Sequence, residues 1–254
     1  MWWGVTVFGV CLGLVHVQAA GPVGGFVIVE TIGGGQPRIM AGDAALADVP
    51  QGPASTFKIV VALTGFEAGV ASPDLRHACR DVPGARQARE IDMREAMRAS
   101  SNEYFSWLAG RIGAEKIGAT AVRIGFAQGP LREGWAGPDP GAIVRGGDLK
   151  VSARRLHDVT VRVMRGTAAS SVEVQHMLEE VLSWPSPDPG SRVLGKTGAW
   201  GGAAWFTGFV DRQGERRAAT VLVTYAVPNW RPARARAIDL FFSRANLPRP
   251  TDNH

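Results

Sequence analysis

Alternating and continuous apolar stretches at the two ends of the chain predict strands. Residues 25–31, GFVIVET, are rich in β-branched side chains and predict a first strand that ends at the glycine run 33–35. Three more strands are predicted at residues 193–198, 203–210 and 218–225, with a tight turn at residues 211–214 and a final helix at residues 233–244. The C-terminal part of the chain is therefore predicted to be an antiparallel meander closed by a helix.

The middle of the chain has the apolar spacing of helices. Residues 55–68 are apolar on nearly every side, which is typical of a buried central helix, and Gly69 is placed to end it. Further helices are predicted within residues 90–125, after Ser152, and after a capping box of Ser170 with Glu173. The Gly- and Pro-rich residues 127–148 predict a long loop. This order favours an α+β fold in which an all-helical lobe is inserted into an antiparallel sheet.

Composition limits the classes of function. A chain of 254 residues with 45% apolar content can bury one full core. Its formal charge is +5, but the basic residues are scattered and only four of the 28 are lysines. Nucleic-acid binding is not expected, because it needs a clustered basic patch.

The N-terminus predicts export. Residues 1–17 are apolar and uncharged apart from His16, and residues 17–20 offer small side chains for cleavage. We therefore expect a signal peptide at residues 1–20, a single domain at residues 21–254, a periplasmic location and no stable membrane span after cleavage. Only Cys79 would then remain, so neither an internal disulfide nor a metal site is expected.

A serine and a lysine stand one helical turn apart in Ser55-Thr56-Phe57-Lys58. On a helix these two side chains share a face, so the hydroxyl and the amine can meet. Burial disfavours the charged form of a lysine and makes it available as a base, which serine needs in order to act as a nucleophile. The spacing alone occurs easily by chance and needs support from other motifs.

Two further motifs give that support. Lys196-Thr197-Gly198 lies at the end of a predicted strand, where an ammonium and a hydroxyl can bind a carboxylate and the glycine lets a substrate approach. Ser100-Ser101-Asn102 falls between two helical segments, where its polar side chains can face a cleft or cap the following helix. The cap and the site are compatible interpretations.

The three motifs in this order resemble those of penicillin-binding proteins and serine β-lactamases. Pro53-Ala54-Ser55-Thr56-Phe57-Lys58-Ile59, Glu95-Ala96-Met97-Arg98-Ala99-Ser100 and Trp205-Phe206-Thr207-Gly208-Phe209 are similar to class D, oxacillinase-type β-lactamases, over nearly the whole mature chain. The resemblance implies a β-lactamase/transpeptidase-like α+β fold, with the antiparallel sheet flanked by N- and C-terminal helices.

The resemblance also implies roles. Ser55 would be acylated, Lys58 would be the general base, carbamylated by CO2 as in class D enzymes, and Ser100 would relay protons. The N–H groups of Ser55 and Ala199 would form an oxyanion hole. The residues that bind substrate would come from the other two motifs, from the position directly after Gly198 and from the last helix: Asn102, Lys196, Thr197, Gly198, Ala199 and Arg234. Arg236 is an alternative to Arg234. No other cofactor is expected.

Some residues depart from the class D pattern. Asn102 stands where class D enzymes usually have a hydrophobic residue, and asparagine there is more similar to transpeptidases and β-lactam sensor domains. Trp135-Ala136-Gly137 is the nearest match to the family's Tyr-Gly-Asn motif, and Val144 stands where the tryptophan that steadies the carbamate is expected.

Three hypotheses therefore remain open at the level of sequence. The first is a β-lactamase that hydrolyses a small β-lactam, and the second is a D,D-peptidase or transpeptidase acting on peptidoglycan stem peptides. The third, ranked last, is a non-hydrolysing β-lactam sensor-like domain. The sequence predicts no oligomeric state.

Overall fold

The structure, a computed structural model, describes residues 23–137, 140–186, 188–228 and 230–250. The expected signal peptide, residues 1–20, lies outside the described residues. Within them, no helix has the length and apolar character needed to cross a bilayer. The strands of the main sheet are antiparallel in the order β2-β1-β8-β7-β6-β5. They are β1 (Val23–Ile32), β2 (Arg38–Gly42), β5 (Ser183–Trp184), β6 (Ser191–Trp200), β7 (Ala203–Arg212) and β8 (Glu215–Tyr225), and β3 (His77–Cys79) and β4 (Arg89–Ile91) form a separate hairpin.

The helices lie between the first strands and the meander and at the end of the chain. They are α1 (Lys58–Glu67), α2 (Met93–Ala99), α3 (Asn102–Ile112), α4 (Ala114–Arg123), α5 (Pro140–Ile143), α6 (Ala153–Met164), α7 (Val172–Val181) and α8 (Trp230–Arg244). Helices α1 to α4 and α7 pack on one another as the inserted lobe, and α6 and α8 pack on the sheet. The α+β fold with a helical insertion is thus confirmed. The N-terminal flanking helix is not among the described residues, which begin in β1.

The structure corrects several predicted boundaries. The central helix begins as a 3-10 turn at Ala54–Phe57, and the start of the predicted helical stretch at residue 90 is strand β4. Ser171, not Ser170, caps α7, because its Oγ accepts the Val174 N–H at 3.2 Å. Strands β2, β3 and β5 were not predicted, since they are short and carry no alternating apolar pattern.

The two faces of the sheet are covered differently. On the α8 side, Phe206 of β7 packs against Phe241 and Phe242, with ring centroids 4.1 and 6.0 Å away. On the other side, α6 packs against β1, β7 and β8 and joins the core of the helical lobe. The meander is therefore buried on both faces, which explains why its strands are nearly continuous apolar runs.

A row of buried polar side chains crosses the interface between α6 and the sheet. His157 Nε2 lies 2.9 Å from Thr31 Oγ1, and His157 Nδ1 lies 3.3 Å from Thr220 Oγ1. The row continues through Thr207 to Thr160, whose hydroxyl donates to the Leu156 carbonyl. Burial lowers the pKa of His157 to about 4, so the ring is neutral in the folded protein.

We predict that His157 makes the fold sensitive to acid. The unfolded chain takes up a proton at His157 below about pH 6.5, and the folded chain only near pH 4. The free energy of unfolding should therefore fall by roughly 1.4 kcal/mol per pH unit across that window. Denaturant unfolding at several pH values measures this slope of the free energy of unfolding. The slope should be present in wild type and absent from His157→Gln.

His176 is exposed on α7, so His176→Gln is the matched control and should keep the wild-type slope. Equal slopes for wild type and His157→Gln would contradict the prediction.

Candidate active site

Ser55 lies in a strained turn at the start of the central helix. The preceding residue, Ala54, is buried and has a φ of 51°, a left-handed conformation that costs energy for a residue with a side chain. The Thr56 hydroxyl donates to the Pro53 carbonyl at 2.7 Å and closes the turn. Trp205 of β7 donates its indole N–H to the Gly52 carbonyl at 2.9 Å, which ties the turn to the sheet. Ser55 is thereby held half-buried at the wall of a cleft.

The amine of Lys58 is fully buried beneath Ser55 and contacts four oxygen atoms. Nζ lies 3.3 Å from Ser55 Oγ, 3.2 Å from Ser100 Oγ and 2.8 Å from Asn102 Oδ1, and it also donates to the Ser100 carbonyl. The carbonyl and Asn102 Oδ1 can only accept, whereas the two hydroxyls can also donate. A neutral amine, with two N–H donors and one lone pair, fits this set because its lone pair can face a hydroxyl.

The charges around Lys58 favour that neutral form. Burial, with smaller contributions from Arg145 and Arg234, lowers the pKa of Lys58 to about 7, against the opposing effect of Asp81. Lys196 is also buried, and desolvation together with Lys58 and Arg234 holds its pKa well below the usual range. At neutral pH a substantial fraction of Lys58 can accept a proton.

The junction between α2 and α3 supplies the other contacts of Lys58. Ser100 has a φ of 58° and ends α2 in the left-handed conformation, which turns its hydroxyl and its carbonyl toward Lys58. Ser101 caps α3 by accepting the Tyr104 N–H at 3.0 Å. Asn102 is the first residue of α3. Both roles predicted for this segment therefore occur: Ser101 caps α3, and Ser100 and Asn102 contact Lys58.

Strand β6 directs alternate side chains to the two sides of the sheet. Lys196 reaches Ser100, with Nζ 2.9 Å from Ser100 Oγ, and also donates to the Thr197 carbonyl at 3.0 Å. Thr197 points the other way, and its hydroxyl accepts from Arg234 Nη2 at 3.1 Å. The structure thus joins Ser55, Lys58, Ser100 and Lys196 in one row of polar groups.

Gly198 and Ala199 bring β6 against the Ser55 turn. A Cβ on Gly198 would lie 3.0 Å from the Ser55 N and from the Pro53 carbonyl oxygen, tighter than nine in ten real Cβ contacts. Glycine at position 198 therefore allows this approach without displacing the turn. Ala199 follows in the cleft wall, so residues 55 and 199 line the same cavity.

Of the two arginines predicted for the carboxylate side, only Arg234 is in the site. It lines the cleft and contacts Thr197. The Arg236 guanidinium lies over the Phe26 ring, 5.0 Å from its centroid, against β1. The difference follows from helical geometry, because residues two positions apart face different sides of α8.

The cleft has a volume of about 690 Å³ and mainly apolar walls. Trp200, which is 59% exposed, and Val227, which is 72% exposed, stand at its rim. Among the described residues that line it there are two arginines and no carboxylate: Ser55, Pro83, Arg98, Ala99, Ser100, Asn102, Thr197, Gly198, Ala199, Trp200, Gly201, Tyr225, Val227, Pro228, Trp230 and Arg234. Such a cleft suits an anionic molecule with apolar parts.

The surroundings of Lys58 do not fit a carbamate. A carbamylated nitrogen keeps a single N–H and loses its basic lone pair, yet two acceptor-only oxygens, Ser100 O and Asn102 Oδ1, face it. Val144 is buried and offers no N–H, and Phe105 presents a ring 5.6 Å from Nζ. Trp135 packs edge-on against Phe57, with its indole nitrogen near Gly118.

Sequence reasoning missed two residues of the site. Ala54 gives no signal in sequence, because its strain is visible only as a dihedral angle. Asp81 comes from the loop after β3, and its carboxylate accepts from Ser101 Oγ and from the N–H groups of Asn102 and Glu103. It lies outside every recognised motif, so spacing could not have indicated it.

Comparison with known sequences gives a partial match. The profile of the penicillin-binding protein transpeptidase domain matches residues 45–153, which is less than half of the chain and includes Ser55, Lys58, Ser100 and Asn102. A search of curated proteins gives no match.

Solved structures show the fold. The class D β-lactamase YbXI from Nostoc has 21% identity and a TM-score of 0.71, over 89% of this chain and 95% of that one. FUS-1 (OXA-85), a class D β-lactamase from Fusobacterium nucleatum subsp. polymorphum, has 18% identity and a TM-score of 0.71, over 88% and 93%. BPu1 β-lactamase has 15% identity and a TM-score of 0.70, over 85% and 91%. The resemblance predicted from the motifs is confirmed for the fold, which is that of class D β-lactamases.

Proposed function

We propose that the protein is an exported serine acyl-enzyme of the β-lactamase type, which opens β-lactams through Ser55 and hydrolyses the product ester. The observation that carries the proposal is the contact of the Ser55 hydroxyl with a buried lysine amine at 3.3 Å, in a cleft free of carboxylates among its described lining residues. The fold of class D enzymes supports it.

Acylation needs one base and one proton donor. Neutral Lys58 accepts the Ser55 proton as Oγ bonds to the lactam carbonyl carbon. The oxygen that becomes negative faces the N–H groups of Ser55 and Ala199. When the carbon–nitrogen bond breaks, Ser100 gives its proton to the leaving nitrogen and takes one from Lys58, 3.2 Å away. Lys58 is neutral again at the end, and the strain of the four-membered ring is released.

The hydrolytic step uses the same base. Water adds to the ester carbon as Lys58 takes its proton, and the proton then returns to Ser55 as the ester bond breaks. Arg234 and Thr197 hold the substrate carboxylate throughout, with Lys196 beside them. The natural substrate is a small β-lactam in this proposal.

Asn102 favours a second candidate function, a D,D-peptidase that acts on peptidoglycan stem peptides. Its Oδ1 contacts Lys58 Nζ at 2.8 Å, an interaction that a hydrophobic residue at this position would not make. The matched transpeptidase profile includes this segment. In this candidate the ester formed with a β-lactam persists, because water competes poorly for Lys58. A sensor-like domain would behave in the same way with the drug, but nothing in the described site favours it.

Exposure to benzylpenicillin should label Ser55. We expect intact-mass spectrometry to show one penicilloyl adduct that peptide mapping places on Ser55, followed by release of penicilloate. Ser55→Ala should lose turnover by roughly 10³-fold or more, because the nucleophile is absent. Ser72→Ala, an exposed serine outside the cleft, is the control and should react like wild type.

Release of penicilloate without a Ser55 adduct would contradict the mechanism, and absence of both would contradict the proposal. A long-lived adduct without released product would support the D,D-peptidase instead, and hydrolysis of a D-Ala-D-Ala peptide would then be measured.

The pH dependence of acylation should report Lys58 as a free amine. The rate should rise with pH around a midpoint near 7, since only the neutral amine accepts a proton. Lys58→Arg should lose about 10²- to 10⁴-fold, because arginine stays charged. Stopped-flow acylation across pH, with and without bicarbonate, measures both effects. Lys116→Arg, exposed on α4, is the control.

Bicarbonate should leave the rate unchanged. Stimulation by bicarbonate, with a ¹³C-labelled carbamate on Lys58, would contradict the free-amine base.

A further inference from the structure

Asp81 holds the segment that contacts Lys58. Its Oδ1 accepts from the Ser101 hydroxyl, and its Oδ2 accepts from the main-chain N–H groups of Asn102 and Glu103, the latter at 3.1 Å. These donors lie at the exposed N-terminus of α3, where a carboxylate is electrostatically favoured. One carboxylate therefore fixes both residues that follow Ser100.

Ser100 depends on this anchor because its conformation is costly. A left-handed serine persists only where its neighbours fix it on both sides. Helix α2 fixes the side before it, since the Ser100 N–H donates to the Met97 carbonyl at 3.2 Å. On the side after it, the Ser101 N–H donates to the Ala96 carbonyl at 2.9 Å, and Asp81 holds the Ser101 hydroxyl and the Asn102 N–H. If that side moved, the Ser100 carbonyl, the Ser100 hydroxyl and Asn102 Oδ1 would all leave Lys58.

Asp81 also opposes the positive charges at the site. The charged groups around Lys58 are Lys196 of β6, Arg234 of α8, Arg145 of the loop before α6 and Asp81. Of these only Asp81 is negative, and it raises the pKa of Lys58 against the burial and the arginines that lower it.

We propose that Asp81 is a positioning residue of the acyl-transfer site, which holds Ser100 and Asn102 on Lys58 and tunes the charge of its amine. This role rests on the proposed function of Ser55 and Lys58. A metal site is a poorer interpretation of the same cluster with Cys79 and Glu103. Asp81 already has three donors, and Glu103 accepts the Arg80 N–H at 2.7 Å.

The test compares two variants that separate geometry from charge. Asp81→Asn removes the charge and one acceptor, so acylation by benzylpenicillin should fall about tenfold. The midpoint of its pH profile should move to lower pH, because Lys58 loses its only negative neighbour among these groups. Ser101→Ala keeps the charge and removes the bond to Asp81 together with the cap on the Tyr104 N–H, so it should slow acylation without moving the midpoint. Glu103→Gln, on the same turn, is the charge control and should match wild type.

A second readout does not need acylation. The chain has only four lysines, so ¹⁵N-lysine labelling allows Lys58 to be titrated by NMR. Its midpoint should be lower in Asp81→Asn than in wild type or Glu103→Gln. An unmoved Lys58 titration would overturn the tuning role, and unchanged acylation by Asp81→Asn and Ser101→Ala would overturn the positioning role. Failure of wild type to acylate would overturn the proposed function instead, and thermal melting identifies a variant that fails to fold.

Arg98 lies in the last turn of α2, at the border of the cleft. Its side chain is exposed, lines the cleft together with Ser55, and has no hydrogen bond or ion pair within the described part of the chain. Two other arginines of this surface, Arg89 and Arg94, are paired, the first with Glu95 and the second with acidic side chains that include Asp74. Arg98, unlike them, has no acidic partner among the described residues and borders the cleft.

The space around Arg98 is open on two sides. It borders the main cleft and an adjoining depression of about 330 Å³. Arg234 contributes the other cation of the main cleft, from α8, which packs on the sheet. We infer that Arg98 binds a second anionic group, on the acylamino side chain of the substrate, apart from the carboxylate held by Arg234. This inference also rests on the proposed function.

Two penicillins that differ by one side-chain carboxylate test the inference. Carbenicillin carries this carboxylate and benzylpenicillin lacks it. Arg98→Gln should lower acylation by carbenicillin relative to benzylpenicillin by about twofold to fivefold, the effect expected of an exposed ion pair. Arg86→Gln, an exposed arginine outside the cleft, is the control and should leave the ratio unchanged.

Equilibrium binding to Ser55→Ala gives the same comparison without acylation. The ratio of the two dissociation constants should change by the same factor when Arg98→Gln is added. An unchanged ratio would overturn the inference, whether or not wild type is acylated.

Discussion

A lysine amine buried at the base of the cleft is the constraint on which the site depends. Burying such a group is unfavourable unless its N–H donors and lone pair find partners. Lys58 finds one partner at Ser55 and three at the α2–α3 junction. That requirement explains the left-handed Ser100, the cap at Ser101 and the carboxylate of Asp81 behind it. The α2–α3 junction of the helical lobe thus provides most of the hydrogen-bond partners of Lys58 Nζ.

The same surroundings distinguish this protein from the class D pattern that its fold follows. Two acceptor-only oxygens select an amine that still has N–H groups to donate. Val144 supplies apolar packing where the resemblance placed an indole N–H. The attack half-reaction needs only the lone pair of Lys58. The release half-reaction depends on how readily water can compete with Asn102 for the same amine.

The motifs predicted the fold and the residues that meet in the cleft, because local spacing largely determines both. Ser55 and Lys58 share a helix turn, and the apolar meander indicates a sheet buried on both faces. Sequence could not predict Asp81, since a loop distant in the chain brings it to Ser101 through tertiary packing. The choice between Arg234 and Arg236 likewise needed the orientation of α8. Short strands such as β5 form because they pair with a neighbouring strand, and their own residues carry no alternating pattern that would predict them.

One hydroxyl oxygen, Ser100 Oγ, lies 3.2 Å from the Lys58 nitrogen and 2.9 Å from the Lys196 nitrogen. Two ammonium groups that share this oxygen repel each other, so the site is most stable with fewer protons than its amines could carry. The two lysines therefore titrate as a coupled pair, and an apparent pKa taken from a rate profile is a macroscopic constant of that pair. Replacing Lys196 by a neutral residue would remove this coupling, so that the apparent pKa of a rate profile would belong to Lys58 alone.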